Sequence, residues 1–148
     1  MSIAVRRAGI DDVDAIAPLF DAYRQFYGQP TDVGRARDWL QARLRNDESV
    51  LLLAHGDGAP CGFTQLYPMF SSVRTARLWI LNDLYVADAA RRLGVARALL
   101  DAAARFARDD GAAAIMLETG RDNAPARGLY RSAGWQEDAS QWYSLPLR

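Results

Sequence analysis

The chain has 148 residues, its 18 basic and 18 acidic side chains cancel, and 50% of its residues are hydrophobic. That length fits one domain with a core large enough to stand without metals or disulfides, and zero net charge gives no global pull toward nucleic acid or an anionic membrane. A single cysteine, Cys61, excludes an internal disulfide, and a single histidine, His55, disfavours Ser-His-Asp or multi-histidine metal chemistry.

Neither a secretory leader nor a membrane span is expected, since Met1 to Arg7 lacks a long apolar core and no later run is long enough. The expected setting is a reducing cytoplasm. Residues 3–7 read as a short strand. Asp11 then caps a helix with Val13, Ile16, Ala17, Phe20 and Tyr23 on one face, and Pro18 removes a backbone donor and predicts a kink. Phe26 and Tyr27 lie in a loop richer in aromatics than a connector needs, and a second helix covers 32–45. Strands over 50–54 and 62–67 flank the turn His55-Gly56-Asp57-Gly58. An apolar loop over 68–73 leads to a long strand, 78–86. Further on, 115–119 reads as a strand, Asn123 opens a helix carrying Leu129 and Tyr130, and 141–147 reads as a last strand. The alternation predicts a single α/β domain with a mixed sheet of about six or seven strands and about four helices.

Leu84, Tyr85 and Val86 end the long strand, and Arg91-Arg92-Leu93-Gly94-Val95-Ala96-Arg97 follows at once. Ala96, Leu99, Leu100, Ala103, Phe106 and Ala107 then recur at helical spacing. A helix N-terminus leaves amide donors unpaired and carries partial positive charge, so a turn of this kind suits a polyphosphate. Gly94 lets the backbone come close, Ala96 keeps bulk away, and Arg91 and Arg92 add charge at the rim. No G-K-[ST] follows and the remaining glycines of a dinucleotide fingerprint are missing, so ATP and NAD fit poorly.

The strand, the R-x-x-G-x-A turn and its helix resemble the acetyl-coenzyme A signature of the GCN5-related N-acetyltransferases. Downstream, Asn123-Ala124-Pro125-Ala126, Leu129-Tyr130 and Gly134-Trp135 resemble the second half of that family's core. The resemblance spans nearly the whole chain. It implies a sheet splayed near residues 84–86, with the freed amides holding the pantetheine arm, Asn123 touching the same arm, and Tyr130 protonating the leaving thiolate. It implies direct acetyl transfer from acetyl-CoA to an amine in a ternary complex, without a metal, and frequent homodimers.

An alkyl amine with a pKa of about 10.4 must lose a proton at a cost of roughly 4.6 kcal/mol at pH 7, which a carboxylate can share. Asp83, on the strand before the proposed acetyl site, is the best-placed acid. Three roles are open to it: base, anchor for a cationic substrate, or a structural acid bonded to neighbouring amides. Strand periodicity puts Leu81, Asp83 and Tyr85 on one face unless a bulge resets the register. Tyr130 is open to acid catalysis or to packing on Leu129 and Trp135, and Glu118 is a second carboxylate for the cleft or a surface residue. Phe26, Tyr27 and Tyr67 supply aromatic faces for an ammonium group, or pack the helices; Tyr27 is the nominated substrate contact. The acceptor classes are a small amine, a polyamine, an amino acid, or a peptide or lysine amine. A non-catalytic acyl-coenzyme A sensor is the alternative of another class.

Overall fold

Leu51, Leu52, Leu53 and Ala54 are all buried, the mark of a strand covered on both faces. They belong to β2 (Val50–Gly56), which lies between β1 (Ile3–Arg7) and β3 (Ala59–Ser71). The computed structural model describes all 148 residues, and the chain forms two units, Met1–Glu118 and Thr119–Arg148.

In the first unit a five-stranded sheet runs in the order β1-β2-β3-β4-β5, with β4 spanning Ala76–Val86 and β5 Ala114–Met116. The first three pairings are antiparallel and the last is parallel. Asp57 and Gly58, both at positive φ (50° and 84°), make the two-residue turn between β2 and β3. This conformation matches the twist of the flanking strands, so both run closer to the turn than periodicity alone suggests. Helix α1 (Val13–Phe26) and helix α2 (Val33–Arg45) share a core with the sheet, in which Ile16, Phe20 and Leu40 meet Leu51, Leu53 and Phe63. Side chains buried this completely each contribute about 1.5–3 kcal/mol relative to exposure.

The opposite face carries α3 (Val95–Asp109), whose Val95, Leu99, Leu100 and Ala103 are buried. Gly62 permits its close approach. A Cβ there would lie 2.8 Å from the Tyr85 carbonyl oxygen and 3.2 Å from Val95 Cγ1. The start of α3 is therefore packed directly against β3 at Gly62, next to the end of β4.

Several boundaries differ from the sequence expectation. The sheet has five strands, not six or seven. Residues 141–147 form no strand, and Trp142, Tyr143, Leu145 and Leu147 are exposed. A strand is stable only with a ladder partner, and no strand pairs with this segment. Of the segment 68–73 only Ser72 and Val73 lie in a turn, because β3 continues to Ser71 in register with β4: Pro68 faces Trp79 and Ser71 faces Ala76. The proline interrupts periodicity in the sequence but costs only one donor in the ladder. β5 stops at Met116 rather than at 119. At the start of α1, residues 10–12 form a 3-10 turn, and Asp12 rather than Asp11 anchors the entry. Asp12 accepts the Gly9 amide at 2.8 Å and pairs with Arg6 at 2.7 Å, and the Arg6 contact and that amide hold its carboxyl down at about 2. Helix α1 runs through Pro18 as one helix. The four predicted helices are all present, the last being α4 (Ala124–Ser132) in the second unit.

Candidate active site

β4 carries one residue more than β3 across its middle. Gln65 stands opposite Asp83 but Leu66 stands opposite Leu81, so Asn82 is a β-bulge. Consecutive strand residues ordinarily face opposite ways, yet here Asn82 and Asp83 line the same cavity. The bulged carbonyl of Asn82 accepts the Tyr23 hydroxyl at 3.3 Å, and the Asn82 side-chain amide donates to Asp83 Oδ1 at 2.8 Å.

Asp83 is buried, at 3% exposure. Its Oδ2 accepts Gln65 Nε2, and its own carbonyl accepts the Thr64 hydroxyl at 2.7 Å. Burial raises the Asp83 pKa above the ordinary carboxylate value, while the donors Gln65, Asn82 and Tyr23 restrain the rise. Burial, and then the Asp83 charge, push the Tyr23 hydroxyl upward in turn, so it remains a donor.

The cavity has a volume of about 320 Å³. Asp83 and Asn82 meet the aromatic rings of Phe20, Tyr23, Tyr27, Trp39 and Tyr67 there, together with Arg24 and Gln29. Trp39 Nε1 donates to the Tyr67 hydroxyl at 3.3 Å, and the Arg43 guanidinium lies over the Trp39 ring at 4.2 Å, so this wall is braced from outside. The other wall is held by the buried Asp21. Its carboxylate accepts the Asp32 amide and the Thr31 hydroxyl, each at 2.7 Å, and so ties down the loop bearing Tyr27 and Gln29.

β4 pairs with β5 only from Leu78 to Ile80, so its edge beyond Ile80 has no strand beside it in the sheet. Leu84, Tyr85 and Val86 lie on that unpaired stretch, as the expected splay requires. Past Val86, a 3-10 turn at Asp88–Ala90 leads to Gly94, which caps α3 at φ 88° in the left-handed region. No side chain caps this helix, and Ala98 to Gly94 at 3.0 Å is its opening backbone bond. The amides of Val95, Ala96 and Arg97 precede that bond and suit acceptor oxygens from outside. Arg92 and Leu93 are exposed beside them, and Arg92 also has a positive φ of 63°. Arg91 is tied back rather than mobile: its Nε donates to the Val86 carbonyl at 3.1 Å and its guanidinium pairs with Asp88 at 2.9 Å. Arg97 pairs with Asp101 at 3.1 Å.

The other candidates fall outside the cavity lining. Phe26 is 68% exposed and meets Tyr27 edge to face. Glu118 is exposed two residues beyond β5. Cys61 is buried, and burial pushes its thiol up, which disfavours the nucleophilic thiolate. In the second unit, Asn123 caps α4 by accepting the Ala126 amide at 3.3 Å. Tyr130 is half-buried on α4, and its ring lies 6.4 Å from that of Trp135.

Sequence reasoning missed Arg24, Trp39 and Gln65. Gln65 did leave a signal. A polar amide inside the apolar run Phe63 to Leu66 must find a buried partner, and the acid on the next strand is the obvious one. Trp39 read as core or interface rather than as part of a site, and Arg24 left no signal, because the helix face assigns it to solvent.

The description "Acetyltransferase (GNAT) family" belongs to the family model that matches residues 15–135. The uncharacterized N-acetyltransferase YhfO of Bacillus subtilis (strain 168) is 48% identical over 134 residues, covering 90% of each chain. A probable acetyltransferase of Haemophilus influenzae is 34% identical over 96 residues, 64% of this chain and 66% of that one. A crystal structure of a probable acetyltransferase superposes with a TM-score of 0.92 at 43% identity, covering 100% of this chain and 99% of the other.

Proposed function

Because the chain belongs to the acetyltransferase (GNAT) family and is an N-acetyltransferase, we propose that it forms one N-acetyltransferase domain over residues 1–148 and acetylates a primary amine held in the cavity beside Asp83. The observation that carries this reading is the bulge at Asn82. It turns a buried acid into an aromatic-lined cavity three residues before the strand end that leads to the uncapped start of α3.

Acetyl-CoA fits that start: the open amides of Val95, Ala96 and Arg97, the left-handed Gly94 and the exposed Arg92 and Leu93 suit its pyrophosphate, and the edge of β4 at Leu84, Tyr85 and Val86 suits its pantetheine arm. Bound there, it supplies an acetyl group activated as a thioester. Asp83, ionised, takes the proton that the ammonium must lose, directly or through water. As the N–C bond forms and the C–S bond breaks, the departing sulfur needs a proton, and Tyr130 gives it. The products are the N-acetylated amine and coenzyme A. Asn123 holds the pantetheine arm as the family resemblance implies, its side-chain oxygen also capping α4. Tyr27 and Tyr67 offer ring faces to the ammonium group, Phe26 extends them at the rim, and Glu118, exposed outside the cavity, is a second carboxylate for the approaching substrate rather than for its bound amine. A cytoplasmic setting and a homodimer belong to the same proposal; the lone free thiol of Cys61 supports the first, and the exposed Trp142, Tyr143, Leu145 and Leu147 the second.

Coenzyme A release from acetyl-CoA, measured across amines, amino acids and peptides, tests the reading. Turnover of at least one class that collapses in Asp83→Asn supports it. Release that no added amine stimulates contradicts it.

A further inference from the structure

Arg24 occupies the last turn of α1 and lines the cavity opposite in charge to Asp83. Its Nη1 is buried and has no hydrogen-bond partner. The nearest acid along the helix, Asp21, feels the Arg24 charge but makes no hydrogen bond to it. Asp21 spends Oδ1 on the Asp32 amide and Oδ2 on Thr31 and Gln25, and Arg24 enters none of the ion pairs of the protein. Leaving a donor of a charged group buried and unpaired forfeits its hydration with nothing in return, so such groups in folded proteins call for a reason.

The position of Arg24 is also well held. Its carbonyl accepts the amides of Tyr27 at 3.1 Å and Gln29 at 3.0 Å, so its backbone belongs to the same frame as the two cavity residues that follow it.

The charged residues lining the cavity are thus one acid, Asp83, and one arginine, Arg24. A polyamine or another polycation would meet a single acid and a repelling cation there. A guanidinium suits a planar carboxylate, with which it makes paired, charge-assisted bonds. The volume of about 320 Å³ is at the small end for ligand sites and suits a compact molecule.

We propose that the acceptor is a small amino acid, a free amine that also bears a carboxylate, with its nitrogen at Asp83 and its carboxylate at Arg24. This rests on the reading of the cavity as the acceptor site. It makes Arg24 a specificity residue: it selects among amines and takes no part in the proton transfers.

The test compares matched acceptor pairs, each an amino acid and the amine formed by its decarboxylation, together with a linear polyamine, by coenzyme A release from acetyl-CoA. The wild-type protein is expected to favour the carboxylated member of the best pair in kcat/KM. Charge-assisted bonds of about 1.5–3 kcal/mol correspond to a preference of roughly 10- to 150-fold. In Arg24→Gln that ratio falls by at least about tenfold, chiefly through KM, and Arg24→Lys, which keeps the charge without the planar fork, recovers part of it. A wild-type enzyme that prefers the decarboxylated amines or the polyamine overturns the inference while the acceptor-site reading stands. So does a ratio unmoved by Arg24→Gln. If no amine of either kind stimulates release, the acceptor-site reading fails and takes the inference with it.

Discussion

Gln65 and Asp83 stand opposite each other in the β3–β4 ladder, both buried, with the Gln65 side-chain amide donating to the Asp83 carboxylate. Gln65 Oε1 has no partner. The pair is therefore arranged to stabilise the charged form of an acid whose burial opposes that charge.

Replacing the acid tests both sides of this balance. Asp83→Asn should lower kcat/KM by about 10²–10⁴-fold, the usual scale of general-base assistance. Stability should move the other way. The folded-state pKa of Asp83 is raised, so the native protein holds this proton more tightly than the unfolded chain, and stability falls as pH rises from the unfolded value through the folded one. The asparagine variant loses that fall, and its new amide can donate to Gln65 Oε1. Thermal denaturation at neutral and acid pH should show a variant at least as stable as wild type at neutral pH; a markedly lower Tm there would place Asp83 in the structural role.

Gln65→Leu removes the donor that holds the Asp83 pKa down. The acidic limb of the kcat/KM profile, which reports the free enzyme, should move to higher pH, because the base now ionises later. A profile with an unmoved limb would mean that Asp83 is not the titrating group.

Gly94 sits at φ 88°, with open space where a Cβ would lie. Gly94→Ala should cost about 1–2 kcal/mol through left-handed strain alone. Gly94→Asp adds a carboxylate at an anion site and should weaken acetyl-CoA binding well beyond the alanine variant. Calorimetry on both separates strain from charge, and equal affinities in the two would contradict the phosphate assignment.

Tyr130→Phe removes one hydroxyl and leaves the ring that meets Trp135. Turnover with an accepted amine should drop while coenzyme A affinity is retained. Unchanged turnover would end the proposed acid role.

Patterns of short range were legible in the chain. β1 spans the predicted 3–7, α2 begins after its Asp32 cap, and α3 follows Gly94 with the expected apolar face buried. These features depend on periodicity and on end effects that act within a turn or two. The family resemblance came from the same kind of local motif.

What depended on packing was less visible. The strand through 68–71 exists because β4 pairs with it, and 141–147 stays out of the sheet because nothing pairs with it. Asp83 was legible as an acid before the cofactor turn, but its environment was not: the Asn82 bulge is a mismatch between two strands, written in neither one. Arg24 is the clearest case. In the sequence it is one basic residue in the last turn of a helix, and only the fold makes it line the same cavity as a buried acid, because residues far apart in the chain meet there.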